Sequence, residues 1–181
     1  MSDISDILLI SGSLRDRSSN SALLRTAATL VPAGFRAVTY TGMADLPHFN
    51  PDDDHDPLPA SVVEMRTRIE QAAALLLCTP EYAGALPGSF KNLLDWTVGG
   101  IEIGDKPTAW INVSSNSTKA ANAHASLRLV LRYTGAAIVE DACAHLPVQP
   151  SMIEDGLVTD PDVRAGLTAS LGLLTAATAA V

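Results

Sequence analysis

Ten residues near the start of the chain concentrate groups that can hold an anion: Ser11-Gly12-Ser13-Leu14-Arg15-Asp16-Arg17-Ser18-Ser19-Asn20. Ile7 to Ile10 before them are apolar, and after them Leu23, Thr26, Ala27, Leu30 and Val31 fall on one face of a helix. The pattern predicts a buried strand, a hydroxyl-rich turn and a helix start. The first amides of a helix have no partner within it, and the helix dipole makes that end positive, so a phosphate suits the place. Ser13, Ser18, Ser19 and Asn20 add side-chain donors, and Arg15 or Arg17 adds charge. The same residues also suit an ordinary strand-to-helix turn, with Ser19 as N-cap and both arginines in solvent. Gly12 stands alone, so neither the Gly-x-Gly-x-x-Gly of a dinucleotide loop nor the Gly-Lys-Ser/Thr of a triphosphate loop is present. A serine-built turn of this kind fits a phosphate monoester.

Those groups need a frame, and strand and helix patterns alternate along the whole chain. Strands are expected at about Asp6–Ser11, Phe35–Tyr40, Ala74–Thr79, Pro107–Val113 and Ala137–Leu146. Helices are expected at about Ser19–Val31, Pro59–Ala73, Ser89–Val98 and Ala120–Thr134, with a last one opened by Asp160-Pro161. Gly42 to Pro59 reads as a long loop holding four prolines. Continuous apolar runs such as Ala74–Thr79 suit a parallel sheet covered on both faces. Five strands with intervening helices make a doubly wound α/β fold, a three-layer sandwich. No repeat or linker divides the chain, so residues 1–181 are expected to form a single domain. In such sheets, ligands sit beyond the carboxyl ends of the strands where the strand order reverses. With strands one and three adjacent, the Ser13–Asn20 loop would lie beside Thr79-Pro80-Glu81-Tyr82-Ala83-Gly84, and Ser114–Thr118 would close a third side.

Two stretches carry a family resemblance. Gly12-Ser-Leu-Arg-x-x-Ser-x-Asn20 resembles the phosphate loop of the NADPH-dependent FMN reductase family, which includes quinone, chromate and azo-dye reductases. Thr79-Pro-Glu-Tyr-Ala-Gly-Ala-Leu-Pro-Gly-Ser-Phe-Lys-Asn-Leu-Leu-Asp-Trp96 is similar to that family's second motif. The resemblance implies a flavodoxin-like sheet in the order 2-1-3-4-5. It implies FMN as cofactor, held through Ser13, Arg15, Ser18, Ser19 and Asn20 at its phosphate and through Pro80, Glu81, Tyr82 and the backbone of Ala83 along its ring. Ser115 and Asn116 would face flavin or nicotinamide. Hydride from NADPH or NADH would pass through FMN to a small acceptor (a quinone, an azo compound, chromate or free flavin) by ping-pong turnover, with no catalytic side chain of its own. A flavin reductase that releases reduced FMN to a partner monooxygenase, and a flavodoxin-like electron carrier, are the alternatives. The chain departs from the family at Ala83, where Asn is common, and at Lys119-Ala120-Ala121-Asn122, where glycines are frequent. An open ring face completed by another subunit would make the protein a homodimer or homotetramer.

Composition narrows the partners. With 12 basic and 20 acidic residues the net charge is −8, which repels nucleic acid and anionic membranes. No basic-then-apolar leader opens the chain, and a cytoplasmic setting is expected. Ala165–Val181 lacks charge, but its 17 residues would reach only about 25 Å as a helix, so a packed terminal helix is expected. Cys78 and Cys143 lie in apolar runs and read as buried and reduced. The histidines show no metal spacing, and His124 reads as an exposed helix residue. Asp52-Asp53-Asp54-His55-Asp56 reads as a solvated loop, Lys91 and Asn92 as residues that fix local geometry, and Trp96 as either core or a subunit contact, the contact being favoured.

Overall fold

The structure, a computed structural model, describes residues 4–116 and 118–180. Met1 to Asp3, Ser117 and Val181 lie outside the described residues, and with them the first residues of the expected leaderless start and one residue of the third loop.

A parallel sheet runs through the molecule. Its strands are β1 (Ser5–Ser11), β2 (Phe35–Tyr40), β3 (Ala74–Cys78), β4 (Pro107–Asn112) and β5 (Ala137–Ile138). Their order is β2-β1-β3-β4-β5, the flavodoxin-like order. Register is set by apolar pairing, with Leu8 opposite Leu75 and Leu76 opposite Ala109. Successive residues of β1 feed opposite cores, because side chains alternate across a strand. Leu8 and Ile10 join α2 (Ala60–Gln71), α3 (Gly88–Asp95) and α4 (Ala121–Tyr133) through Met65, Phe90 and Leu127. Ile7 and Leu9 join α1 (Ser19–Ala28) and α5 (Pro161–Ala177) through Leu23, Ala27, Leu167 and Leu171. That two-sided burial is why β3 is apolar at every position, and it makes the three layers.

The expected fifth strand is broken. Val139 N–H still donates to Thr108 O, but Glu140–Ala142 then make one 3₁₀ turn before β6 (Ala144–His145) pairs with β4 again. Glu140 and Asp141 are poor strand formers, and Glu140 turns out to meet Arg128 (2.8 Å) and Arg132 (3.7 Å) of α4. Beyond the sheet, a short antiparallel hairpin of β7 (Ile153–Glu154) and β8 (Leu157–Val158) lies outside the sequence-based expectation. Helix α5 begins as expected, with Asp160 Oδ1 accepting from the amides of Asp162 and Val163. Val163, Leu167, Leu171 and Leu174 are buried. No described helix is long and apolar enough to cross a membrane.

Three other expectations are corrected. Trp96 is completely buried, its ring edge-on to Phe49 and its indole N–H donating to Pro47 O, so it is core rather than subunit contact. His124 is buried, not exposed, because it lies on the α4 face turned to Trp110. Asp54 leaves the solvated acidic loop to pair with Arg66 at 2.7 Å, both side chains about nine-tenths buried. Asn92 holds the same loop, accepting from Phe49 N–H and donating to Pro47 O.

Candidate functional site

The turns after β1, β3 and β4 meet at the carboxyl edge of the sheet around a cleft of about 850 Å³, within the range of small-molecule sites. Gly12 makes the junction possible. A Cβ there would come within 2.2 Å of Thr79 Oγ1 and 2.9 Å of the Phe90 ring, so only glycine lets the first turn close on the end of β3. Ser13, Arg15, Ser18, Ser19 and Asn20 line the cleft from the first turn, and Pro80, Glu81 and Tyr82 from the second. Ser115 lines it from the third. Ala83 and Asn116 do not line it.

The first turn is wound by its own hydroxyls. Ser13 N–H donates to Ser11 Oγ, and Arg15 N–H donates to Ser13 Oγ. The N-cap of α1 is Ser18, one residue earlier than expected, its Oγ accepting from Ser21 N–H at 3.0 Å. The amides of Ser19 and Asn20 therefore open the helix without an intrahelical partner. Asn20 is buried, and its Oδ1 accepts from the Cys78 thiol at 3.1 Å, which leaves the Nδ2 donor for the cleft. Complete burial pushes the Cys78 thiol far up, so it stays protonated and able to donate. Arg15 and Arg17 are exposed and make no ion pair among the described residues.

The second turn is a tight hairpin. Tyr82 and Ala85 exchange both backbone hydrogen bonds, and Ala83 and Gly84 between them have φ of 51° and 76°. Two left-handed residues in a row define a type I′ turn, which favours Asn-Gly. That is a physical reason for the Asn that the resemblance expects at this place, and it puts Ala83 in a strained conformation. Tyr82 stands 49% exposed beside the cleft.

The third turn is organised by Asn112 and Asn116. Asn112 Oδ1 accepts from the Ser114 amide (2.9 Å) and hydroxyl (2.7 Å), and Asn116 Oδ1 accepts from Lys119 N–H. The helix that follows has no N-cap side chain, since its cap residue is Ala120 at φ 62°. Glu81 supplies the missing acceptor from the second turn: its Oε2 accepts from Ala123 N–H at 3.0 Å. One carboxylate thus ties two walls of the cleft together. At the next residue of the helix, His124 Nδ1–H donates to Ala120 O at 2.7 Å while its Nε2 is buried without a partner. Burial lowers the His124 pKa, against smaller raising effects of the Ala120 hydrogen bond and of Glu81.

A fourth wall was not foreseen. Val148, Gln149, Pro150 and Ile153 complete the cleft from the segment leading into the β7–β8 hairpin. Its sequence signal is Asp155-Gly156 between Ile153-Glu154 and Leu157-Val158, a two-residue hairpin turn with φ of 48° and 79°.

The sequence pattern of the family described as NADPH-dependent FMN reductase matches residues 5–149, which spans all three foreseen turns. The chain belongs to the NADPH-dependent FMN reductase family. An NAD(P)H-dependent FMN reductase of Pseudomonas aeruginosa is 38% identical over 133 residues, covering 72% of this chain and 71% of that protein. A 2-hydroxy-1,4-benzoquinone reductase of a Burkholderia species is 32% identical over 162 residues, 87% of each chain. Among solved structures of similar fold is FerB, a flavoenzyme NAD(P)H:(acceptor) oxidoreductase from Paracoccus denitrificans. It has a TM-score of 0.82 and 29% identity, with 96% of this chain and 98% of that one covered. The first stretch that resembles the family coincides with the turn that closes on β3, and the second with the I′ hairpin and α3.

Proposed function

We propose that this protein is an FMN-dependent NAD(P)H:acceptor oxidoreductase whose acceptor is a small molecule of the quinone type, and that residues 1–181 work as one FMN-binding unit. The observation that carries this reading is the convergence of the unpartnered Ser19 and Asn20 amides, Arg15 and the Pro80–Tyr82 turn on one cleft. The residues present fit FMN. The phosphate would be held by Arg15, by the α1 amides and by donors on Ser13, Ser18, Ser19 and Asn20. Pro80, Glu81, Tyr82 and Ser115 would flank the ring, with Ala83 and Asn116 acting through the shapes of their turns. Bound FMN would supply the two-electron chemistry that links NAD(P)H to the acceptor in alternate half-reactions. The chain's own contribution is to orient the ring and leave one side of it open to both reactants. Turn amides at the ring offer hydrogen bonds to negative charge that develops there.

The reading is supported by the family membership and by the names of the relatives, which are FMN and quinone reductases. Its test is spectroscopic. FMN-loaded protein that survives gel filtration with its flavin, is bleached by NADPH or NADH without air, and is reoxidised by benzoquinone fits the proposal. Failure to oxidise either dinucleotide would leave an electron carrier, and loss of flavin on the column a flavin-releasing reductase. We also propose a homodimer or homotetramer in a cytoplasmic setting. Leu129 and Tyr133 share one α4 face at 58% and 86% exposure, and self-association would cover them. Light scattering of the purified protein decides it.

A further inference from the structure

We propose that a notch between α1 and the β7–β8 hairpin receives the adenosine 2′-phosphate of NADPH and so sets the choice between NADPH and NADH; this rests on the NAD(P)H-dependent reading above. The notch encloses about 360 Å³ and is lined by Arg17, Ala22, Arg25, Ile153, Asp155 and Gly156. It shares Arg17, Ser18 and Ile153 with the main cleft, so one elongated ligand can lie in both. The apolar side chains of Ala22 and Ile153 suit a base and sugar, while two guanidiniums supply the charge that a phosphate monoester needs.

Local structure holds the cation in place. Arg25 Nε donates to Gly156 O at 3.0 Å and one terminal nitrogen donates to Asp16 O at 3.3 Å. Both acceptors are backbone carbonyls, so the positive charge is oriented but not neutralised. Neither Arg17 nor Arg25 is ion-paired with a carboxylate among the described residues. Gly156 lies close to the guanidinium: a Cβ there would meet Arg25 Nε at 3.3 Å. The hairpin is fastened to the same helix, since Val158 N–H donates to the buried Thr26 Oγ1 at 2.8 Å. Asp155 is the single carboxylate in the lining, and two cations outweigh it. In a chain of net charge −8, such an excess marks a place for an anion.

The test compares dinucleotides on FMN-loaded protein. Adenosine 2′,5′-bisphosphate, titrated by calorimetry, should bind roughly tenfold tighter than adenosine 5′-diphosphate, which lacks the 2′-phosphate. Arg25→Gln and Arg17→Gln should each weaken the bisphosphate and raise KM for NADPH about tenfold. KM for NADH, kcat and flavin retention should stay within about twofold. Equal effects on both dinucleotides, or none on NADPH, would overturn the proposal. So would flavin loss in Arg17→Gln, which would assign that arginine to the phosphate of FMN instead. If Arg25→Gln disturbs the hairpin, Arg17→Gln decides alone, being exposed and without a structural partner. If neither dinucleotide is oxidised, the reductase reading fails, and the bisphosphate titration still decides the notch.

Discussion

Cys78 is a residue whose meaning changes with its neighbour. Alone, a buried thiol is a small apolar filler. Here it donates to Asn20 Oδ1 and so fixes which end of that amide faces the cleft. Cys78→Ser keeps a donor and should keep flavin affinity within a few-fold. Cys78→Ala removes the donor and strands a buried acceptor, at a cost of about 1–3 kcal/mol shared between stability and flavin binding. Fluorescence titration with FMN and thermal melts of both variants check this. Ala83 gives a second expectation. Its φ of 51° is costly for alanine and cheap for asparagine, so Ala83→Asn should stabilise the protein by about 1 kcal/mol, read as a higher denaturation midpoint. The Cys78–Asn20 bond was not legible beforehand, since a hydrogen bond between residues 58 positions apart leaves no local pattern. The identities of Ser13, Arg15, Ser18 and Asn20 as one cluster were legible, because a strand, a turn and a helix start put them together without help from the rest of the fold.

At the scale of elements, the helix that most needs outside help is α4. Its first turn starts from a left-handed alanine, and its acceptor comes from a carboxylate 42 positions earlier. Glu81→Ala should cost about 1 kcal/mol of stability. Glu81→Gln, which keeps an acceptor and loses only the favourable charge at the helix start, should cost a few tenths. Thermal melts of the two variants against wild type measure the difference. His124 gives α4 a pH dependence. Burial, the main cause, holds its pKa below the ordinary 6.5, so the unfolded chain takes up a proton that the folded one refuses. Stability from this source is therefore complete above about 6.5 and is lost as pH falls below that value. His124→Phe should flatten the fall in melting temperature between pH 7 and 5, and an unchanged slope would locate the effect elsewhere. Helix and strand positions were mostly readable, as α2, α3 and α5 form close to the ranges that the sequence marks out. The broken fifth strand was not, because the arginines that draw Glu140 out of line belong to another helix.

For the whole molecule, the long proline-bearing loop is the segment that sequence reasoning understated. It is fastened at Asp54 to Arg66, at Pro47 to Trp96 and Asn92, and at Phe49 to Asn92 and the Trp96 ring. Arg66 in turn donates twice to Trp96 O at the end of α3. Removing one partner of a buried ion pair leaves the other uncompensated, so Asp54→Ala should destabilise by about 3 kcal/mol, measurable by urea unfolding. The order of the sheet and its two covered faces could be read from apolar runs alone, whereas this loop's docking depends on contacts that no periodicity encodes.

The fourth wall has one more implication. The family pattern matches residues 5–149, and the hairpin that roofs the notch starts at Ile153. The turns proposed to hold the flavin thus lie inside the matched span, while the rim beside them lies outside it. On the notch proposal, exchanging the ribbon from Ile153 to Val158 should change which reductant is accepted, while the turns after β1 and β3 keep their place at the sheet edge.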